Sequence, residues 1–276
     1  MLIDHVSNFS IQTRFLIPAH IGVLYYSYYM ACTADPGIIT ANNHQSYMDH
    51  YKYDNLLYEP KECTTCKRLK PARSKHCSMC HACVGRSDHH CAWINRCVGV
   101  NNHRYFFFFL YSLIQLCVYG TYLCFEVYRG FIVEWGLENA TVFDHKAKTQ
   151  RPITFRQAMV HVMHQDRIIG SLGILATVVA VVVSLFLVYQ LYLAGRGMTT
   201  NEAFKWEIVE EDIDRGVFYL VEEPVKTNPP KRKDVHTQTP PKERRIKSFS
   251  ELENIYDLGF VTNIKNVLIP PTFGKP

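Results

Sequence analysis

Cys63 to His103 reads C-T-T-C-K-R-L-K-P-A-R-S-K-H-C-S-M-C-H-A-C-V-G-R-S-D-H-H-C-A-W-I-N-R-C-V-G-V-N-N-H. It holds seven of the chain's ten cysteines and five of its thirteen histidines, and apolar runs lie on both sides of it. Cys63-x2-Cys66 and Cys77-x2-Cys80 have the spacing of zinc knuckles, in which one turn brings two thiolates onto a single tetrahedral ion. His76, Cys83, His90 and Cys97 follow at short intervals. Two closed sites need eight ligands. The stretch offers twelve, so four are left over. A disulfide cluster is the competing reading, and the alternation of cysteine with histidine favours metal.

Neighbouring side chains on an extended chain point to opposite faces. His76 and Cys77 are therefore suited to two different ions. Of His89 and His90, one can bind metal while the other faces away. Cys91 then lies beside a free imidazole, with the carboxylate of Asp88 next to it. In a Cys-His-Asp set the imidazole takes the thiol proton, and the carboxylate fixes the tautomer and stabilises the imidazolium. The thiolate is the nucleophile, and a neighbouring cation lowers its pKa. Purely structural roles for these residues are the plain alternative.

Asp88-His89-His90-Cys91 within such a segment resembles the DHHC family of protein S-acyltransferases, or palmitoyltransferases. The resemblance implies two structural zincs on interleaved ligands, one on Cys63, Cys66, His76 and Cys83, the other on Cys77, Cys80, His90 and Cys97. It puts the nucleophile on Cys91, the base on His89 and the orienting acid on Asp88. Two positions depart from the family's pattern, Ala92 for its usual proline and Arg96 within Asn95-Arg96-Cys97 for its usual asparagine. Neither is a proposed ligand or catalytic group.

The chain has 276 residues, 47% of them hydrophobic, and a net charge of +5. Its mean hydropathy of −0.10 averages over strong local contrasts. The modest charge does not suggest nucleic acid as a partner. Dense metal-binding thiols suit a reducing, cytosol-facing side. The start, M-L-I-D-H-V-S-N-F-S, lacks a basic region before an apolar one and does not read as a signal peptide.

Residues 1–14 precede a first apolar run at 15–33, which is short for a crossing and rich in tyrosine. Asp35-Pro36-Gly37 is a turn by composition, and it matches the Asp-Pro-Gly that family members carry after their second span. Residues 34–62 read as a polar connector with Tyr51, Tyr53 and Tyr58 along it, leading into the zinc domain at 63–103. Lys61, Lys67, Arg68, Lys70, Arg73 and Lys75 make a basic cluster that suits anionic headgroups or the phosphates of coenzyme A equally. Under the resemblance, Lys61, Lys70 and Arg73 are the better candidates for the coenzyme.

Runs at 105–127 and 168–194 are long enough to span, and Gly170, Ser171, Gly173 and Ala176 allow close helix approach. Three spans put Asn8-Phe9-Ser10 and Asn139-Ala140-Thr141, both glycosylation sequons, on one side with the loop 128–167. The zinc domain and the tail, 195–276, then share the other side. In the tail, Thr199-Thr200-Asn201-Glu202 reads as a helix cap and matches the family's Thr-Thr-x-Glu. Residues 222–247 read as a disordered basic linker. From Phe249 to Ile269 apolar residues recur at helical spacing, broken by Gly259, as an amphipathic helix or hairpin on the membrane. Tyr256 and Asn263 fall on the aromatic and asparagine positions of the family's C-terminal motif. The resemblance makes Asp35, Thr199, Thr200, Glu202, Tyr256 and Asn263 supports of the site.

The fold expected is an integral membrane protein, mainly α, with three transmembrane helices where the family usually has four, and a cytosolic domain on two zincs. The first run precedes Asp-Pro-Gly, so it corresponds to the family's second span, and its first has no counterpart here. The function implied is transfer of a long-chain acyl group from palmitoyl-CoA or another acyl-CoA, through Cys91, to juxtamembrane cysteines of membrane-associated proteins in the endoplasmic reticulum or Golgi. The alternatives are a non-catalytic zinc adaptor tethered to the bilayer, or an inactive relative lacking the first span.

Overall fold

The computed structural model describes residues 2–144, 147–222, 242–246 and 248–273. In chain order the elements are α1 (Leu2–Thr33), α2 (His44–His50), β1 (Lys75–Cys77), β2 (Ala82–Val84), β3 (His89–Cys91), β4 (Arg96–Val98) and α3 (His103–Glu134). There follow β5 (Thr141–Asp144), β6 (Thr149–Pro152), α4 (Phe155–Gln165), α5 (Arg167–Gly195), α6 (Thr200–Asp214), β7 (Tyr219–Glu222), β8 (Lys242–Arg245) and α7 (Phe260–Leu268). Among the described residues the strands form four two-stranded antiparallel sheets, so the chain is helical with small sheets. It divides into two compact units.

The first unit comprises residues 1–35, 92–95 and 101–191. Among the described residues, α3 and α5 are long and apolar enough to cross a membrane. The first run is helical throughout but less apolar, with Pro18 inside it. Helix α3 continues past Val127 to Glu134, seven residues beyond the expected end of its run, and stops where Gly136 takes a left-handed φ of 66°. A glycine there closes a helix without the Cβ penalty. Asp166 starts α5 by accepting from the amides of Ile168 and Ile169 at 3.1 and 3.3 Å. A Cβ on Gly173 would lie 3.1 Å from that of Cys124, and Thr121 and Thr177 meet at 3.2 Å. Small residues thus let α3 and α5 approach closely. On α1, Ser27 meets Ser112 of α3 at 2.6 Å, and His20 stacks on Tyr119 at 4.6 Å.

The second unit comprises residues 36–91, 96–100 and 192–276. Its core gathers Ile39, Tyr47, Tyr51, Tyr58, Ala72, Val100 and Tyr256 around the buried Cys63 and Cys83. The 34–62 connector is therefore more than a polar link, since three of its tyrosines are core residues and 44–50 is a helix. Gly85 is required beneath Tyr47, because a Cβ there would collide with the ring. A second cluster packs Trp206, Val209 and Ile213 of α6 against Ile246. The expectation of disorder across 222–247 fails at both ends. Tyr219–Glu222 pairs with Lys242–Arg245, and Ile246 is wholly buried. The basic stretch between them lies outside the described residues. Helix α7 begins after Gly259, at the break expected.

Candidate metal centres and active site

Two hairpins build the metal clusters. In β1–β2, His76 is directly opposite Cys83, and in β3–β4 His90 is opposite Cys97. Each cross-strand pair meets the knuckle that precedes it. The result is Cys63, Cys66, His76 and Cys83 in one group and Cys77, Cys80, His90 and Cys97 in the other. These are the two sets expected. Both knuckles turn through a left-handed residue just after the second cysteine, Lys67 at φ 53° and His81 at φ 51°.

The donor geometry fits a tetrahedral ion. With zinc–sulfur bonds of about 2.3 Å and zinc–nitrogen bonds of about 2.0–2.1 Å, sulfur–nitrogen edges are about 3.5–3.6 Å and sulfur–sulfur edges about 3.8 Å. In the first group Cys66 Sγ lies 3.4 Å from His76 Nδ1, and Cys83 Sγ lies 3.7 Å from Cys66 Sγ. In the second, His90 Nδ1 lies 3.5, 3.4 and 3.7 Å from the sulfurs of Cys77, Cys80 and Cys97. Burial and the adjacent sulfurs push the Cys83 and Cys97 thiols up. A divalent cation removes that cost by binding the thiolate forms.

On β3, His89 faces away from the metal group that holds His90. Its Nδ1 is 2.6 Å from Asp88 Oδ2, and its ring also hydrogen-bonds the Cys91 side chain. Cys91 is buried and Asp88 more so. Burial works against the imidazolium, yet the hydrogen bonds to Asp88 and Cys91, with their charges, outweigh it and push His89 up to about 9.

Asp88 is held from outside its own strand. Thr200 donates its backbone N–H to Asp88 Oδ1 at 2.7 Å and its hydroxyl to Oδ2 at 2.9 Å. Thr200 is the first residue of α6, where helix amides attract a carboxylate. Thr199 caps that helix in a reciprocal box with Glu202, and Glu202 Oε2 accepts from the Thr199 amide at 2.9 Å. Glu202 in turn binds Arg73 through both oxygens, at 2.7 and 2.6 Å, and accepts from the Tyr58 hydroxyl at 3.1 Å. Burial and Glu202 push the Tyr58 phenol up, which keeps it a donor.

The tail closes this support. Tyr256 lies under the Arg73 guanidinium, 4.6 Å from the ring centre, and donates to the Lys52 carbonyl at 2.8 Å. Asn263 donates to the Gly195 carbonyl at 2.9 Å. Asp35 lies in the first unit, where it accepts from Asn101 at 3.5 Å. Of the three cations expected at the coenzyme, Lys61 is exposed and Lys70 half-buried, joined by a 2.9 Å backbone bond. Arg73 is buried, with donors committed to Glu202 and, at 2.7 Å, to the Gly197 carbonyl. Tyr58 and Arg86, which is also buried, carried no signal in the sequence beyond their residue type.

The second unit thus carries two groups of three cysteines and a histidine beside a cysteine reached by an acid-held imidazole. The DHHC palmitoyltransferase family model matches residues 57–207. The palmitoyltransferase swf1 of Emericella nidulans is 32% identical over 96% of this chain and 74% of its own length. The swf1 of Aspergillus fumigatus is 32% identical over 94% and 79%, and that of Schizosaccharomyces pombe 33% identical over 95% and 66%. The chain belongs to the DHHC palmitoyltransferase family. It is a protein palmitoyltransferase, and the adaptor alternative is set aside.

Proposed function

We propose that Cys91 carries the acyl group between donor and acceptor. The observation that supports this is the continuous relay from Thr200 through Asp88 and His89 to Cys91. In the first half-reaction His89 takes the Cys91 proton, and the sulfur attacks the thioester carbonyl of palmitoyl-CoA or another long-chain acyl-CoA. The bond from the acyl carbon to the coenzyme sulfur breaks, and His89 gives its proton to that sulfur as coenzyme A leaves. In the second, His89 takes the proton of a substrate cysteine, whose sulfur attacks the Cys91 thioester; the bond from the acyl carbon to Cys91 Sγ breaks, and His89 returns the proton to Cys91. Acceptor cysteines beside a membrane segment bring substrate and thioester to one depth, which supplies orientation.

Lys61 and Lys70 are the cations we assign to the coenzyme phosphates. Arg73 we assign to support, because its fork is engaged by Glu202. The metal is zinc on both groups, structural because each site is complete with four protein ligands. The zinc domain and tail face the cytosol and the 128–167 loop faces the lumen of the endoplasmic reticulum or Golgi. The paired sequons and the reducing chemistry of the thiols support that orientation.

The test is labelling of the purified protein with palmitoyl-CoA in micelles. Wild type takes up hydroxylamine-sensitive label and Cys91→Ser takes up none, with equal zinc content. Label persisting in Cys91→Ser would sink the reading. Cys77→Ser behaves differently in kind. It loses metal and unfolds the hairpins, because metal affinity is folding free energy in such sites, about 10–16 kcal/mol in zinc-finger peptides. Metal analysis and limited proteolysis read that outcome. A folded Cys77→Ser protein with both ions would refute the ligand assignment.

A further inference from the structure

Within the second unit is a cavity of about 290 Å³, near the lower end of the size of ligand pockets. Its lining includes Arg86, Arg73, Lys52, His50 and Asn266, and among the described residues no aspartate or glutamate. Arg86 is 4% exposed, and its Nη1 is buried with no hydrogen-bond partner among the described residues. A guanidinium has five donors and keeps its charge in proteins. Leaving one of them buried and unmade costs about 1–3 kcal/mol or more.

The nearby carboxylates are already engaged. Glu202 is held by Arg73, Tyr58 and the Thr199 amide, and Asp88 by Thr200 and His89. Arg86 and Arg73 are brought together by the 2.9 Å bond from the Ser87 amide to the Arg73 carbonyl. Both have left-handed backbones, φ 42° and 63°. Strain of this kind gathers at binding sites. Burial and then Arg73 hold His50 below its ordinary value, in keeping with a positive cavity.

The edge of the cavity is apolar. Ile255 and Leu258 belong to the lining and are 50% and 60% exposed, and Phe260 and Val261 beyond them are 67% and 79% exposed. We propose that this cavity binds a phosphate group, held by Arg86 with Lys52 and Asn266, in a ligand other than the acyl donor. The source is an anionic lipid headgroup or a soluble phosphate compound. The apolar edge is suited to the first, with its chains running along Leu258 and Phe260.

The test is the thermal midpoint of the full chain, since a ligand bound only by the folded state raises it. One arm uses phosphatidylcholine nanodiscs with and without phosphatidylinositol 4-phosphate. A second uses inorganic phosphate in micelles, against sodium chloride of equal ionic strength. The midpoint rises with the lipid, with phosphate, or with both, which identifies the source. Arg86→Gln weakens the apparent affinity roughly ten- to a hundred-fold, the effect of one charged hydrogen bond. Should Arg86→Gln fail to fold, Asn266→Asp places a carboxylate in the lining and abolishes the rise. No rise in either arm, or an undiminished rise in the variant used, overturns the proposal. So does stabilisation by desulfo-coenzyme A alone, which would give the cavity to the acyl donor.

Discussion

Asp88→Asn slows acylation of Cys91 by up to about 10⁴-fold while both metal groups stay filled. The size follows from the analogous aspartate-to-asparagine change in serine proteases, where the geometry survives and the tautomer is wrong. Here the carboxylate accepts from three donors, the Thr200 amide, the Thr200 hydroxyl and His89 Nδ1. An asparagine has one acceptor oxygen and must point its NH2 group at one of those donors. If the oxygen stays with Thr200, His89 is left facing a donor and turns its lone pair away from Cys91. Single-turnover labelling with palmitoyl-CoA measures the rate, and metal analysis confirms the fold. Thr200→Val removes only the hydroxyl contact and costs roughly tenfold, the worth of about one hydrogen bond. A rate for Asp88→Asn within tenfold of wild type would contradict this account of the relay.

Glu202→Ala destabilises the chain by about 3–5 kcal/mol, the cost of stripping one partner from a buried ion pair. The side chains of Arg73 and Glu202 are 6% and 2% exposed, so water cannot replace the lost carboxylate. Arg73 would then remain beside Arg86 with no counter-charge. The cap of α6 goes too, because Glu202 accepts from the Thr199 amide. Thermal unfolding in micelles reads the loss. The double variant Arg73→Met/Glu202→Leu recovers part of it, since the uncompensated charge is gone. A double variant as unstable as the sum of the two singles would show that the pair is not the source.

The knuckles and the opposed neighbours His76–Cys77 and His89–His90 were legible because their geometry is local, while the full division into two groups came from the resemblance. A knuckle, a hairpin and alternating side-chain direction are all set within about ten residues. Asp88, His89 and Cys91 could be picked out for the same reason, since they are consecutive but for His90. What was not legible is long-range. Nothing at Arg73 announces that Glu202, 129 positions away, will bury it, so its charge reads like that of Lys70. Tyr47, Tyr51 and Tyr58 look like polar-connector tyrosines until Phe273 stacks on Tyr47 and Tyr256 meets Tyr58 edge-on. Helix α3 outruns the apolar run at 105–127 because apolarity fades before helix does. The stop is set by Gly136, and Glu134 is still helical. At 242–246, a charged strand was hidden by its composition, and its pairing with Tyr219–Glu222 depends on a partner outside the local window.

His76 and Cys77 are adjacent on β1, yet they belong to different metal groups. His90 stands in the same way between a metal group and His89 and Cys91 on β3, the pair we propose as base and nucleophile. We expect metal loading in such an arrangement to be cooperative, because emptying one site slackens the strand that aims a ligand at the other. The nucleophile shares that fate through β3. The expected outcome, read by activity across a range of free zinc, is a threshold and not a graded occupancy.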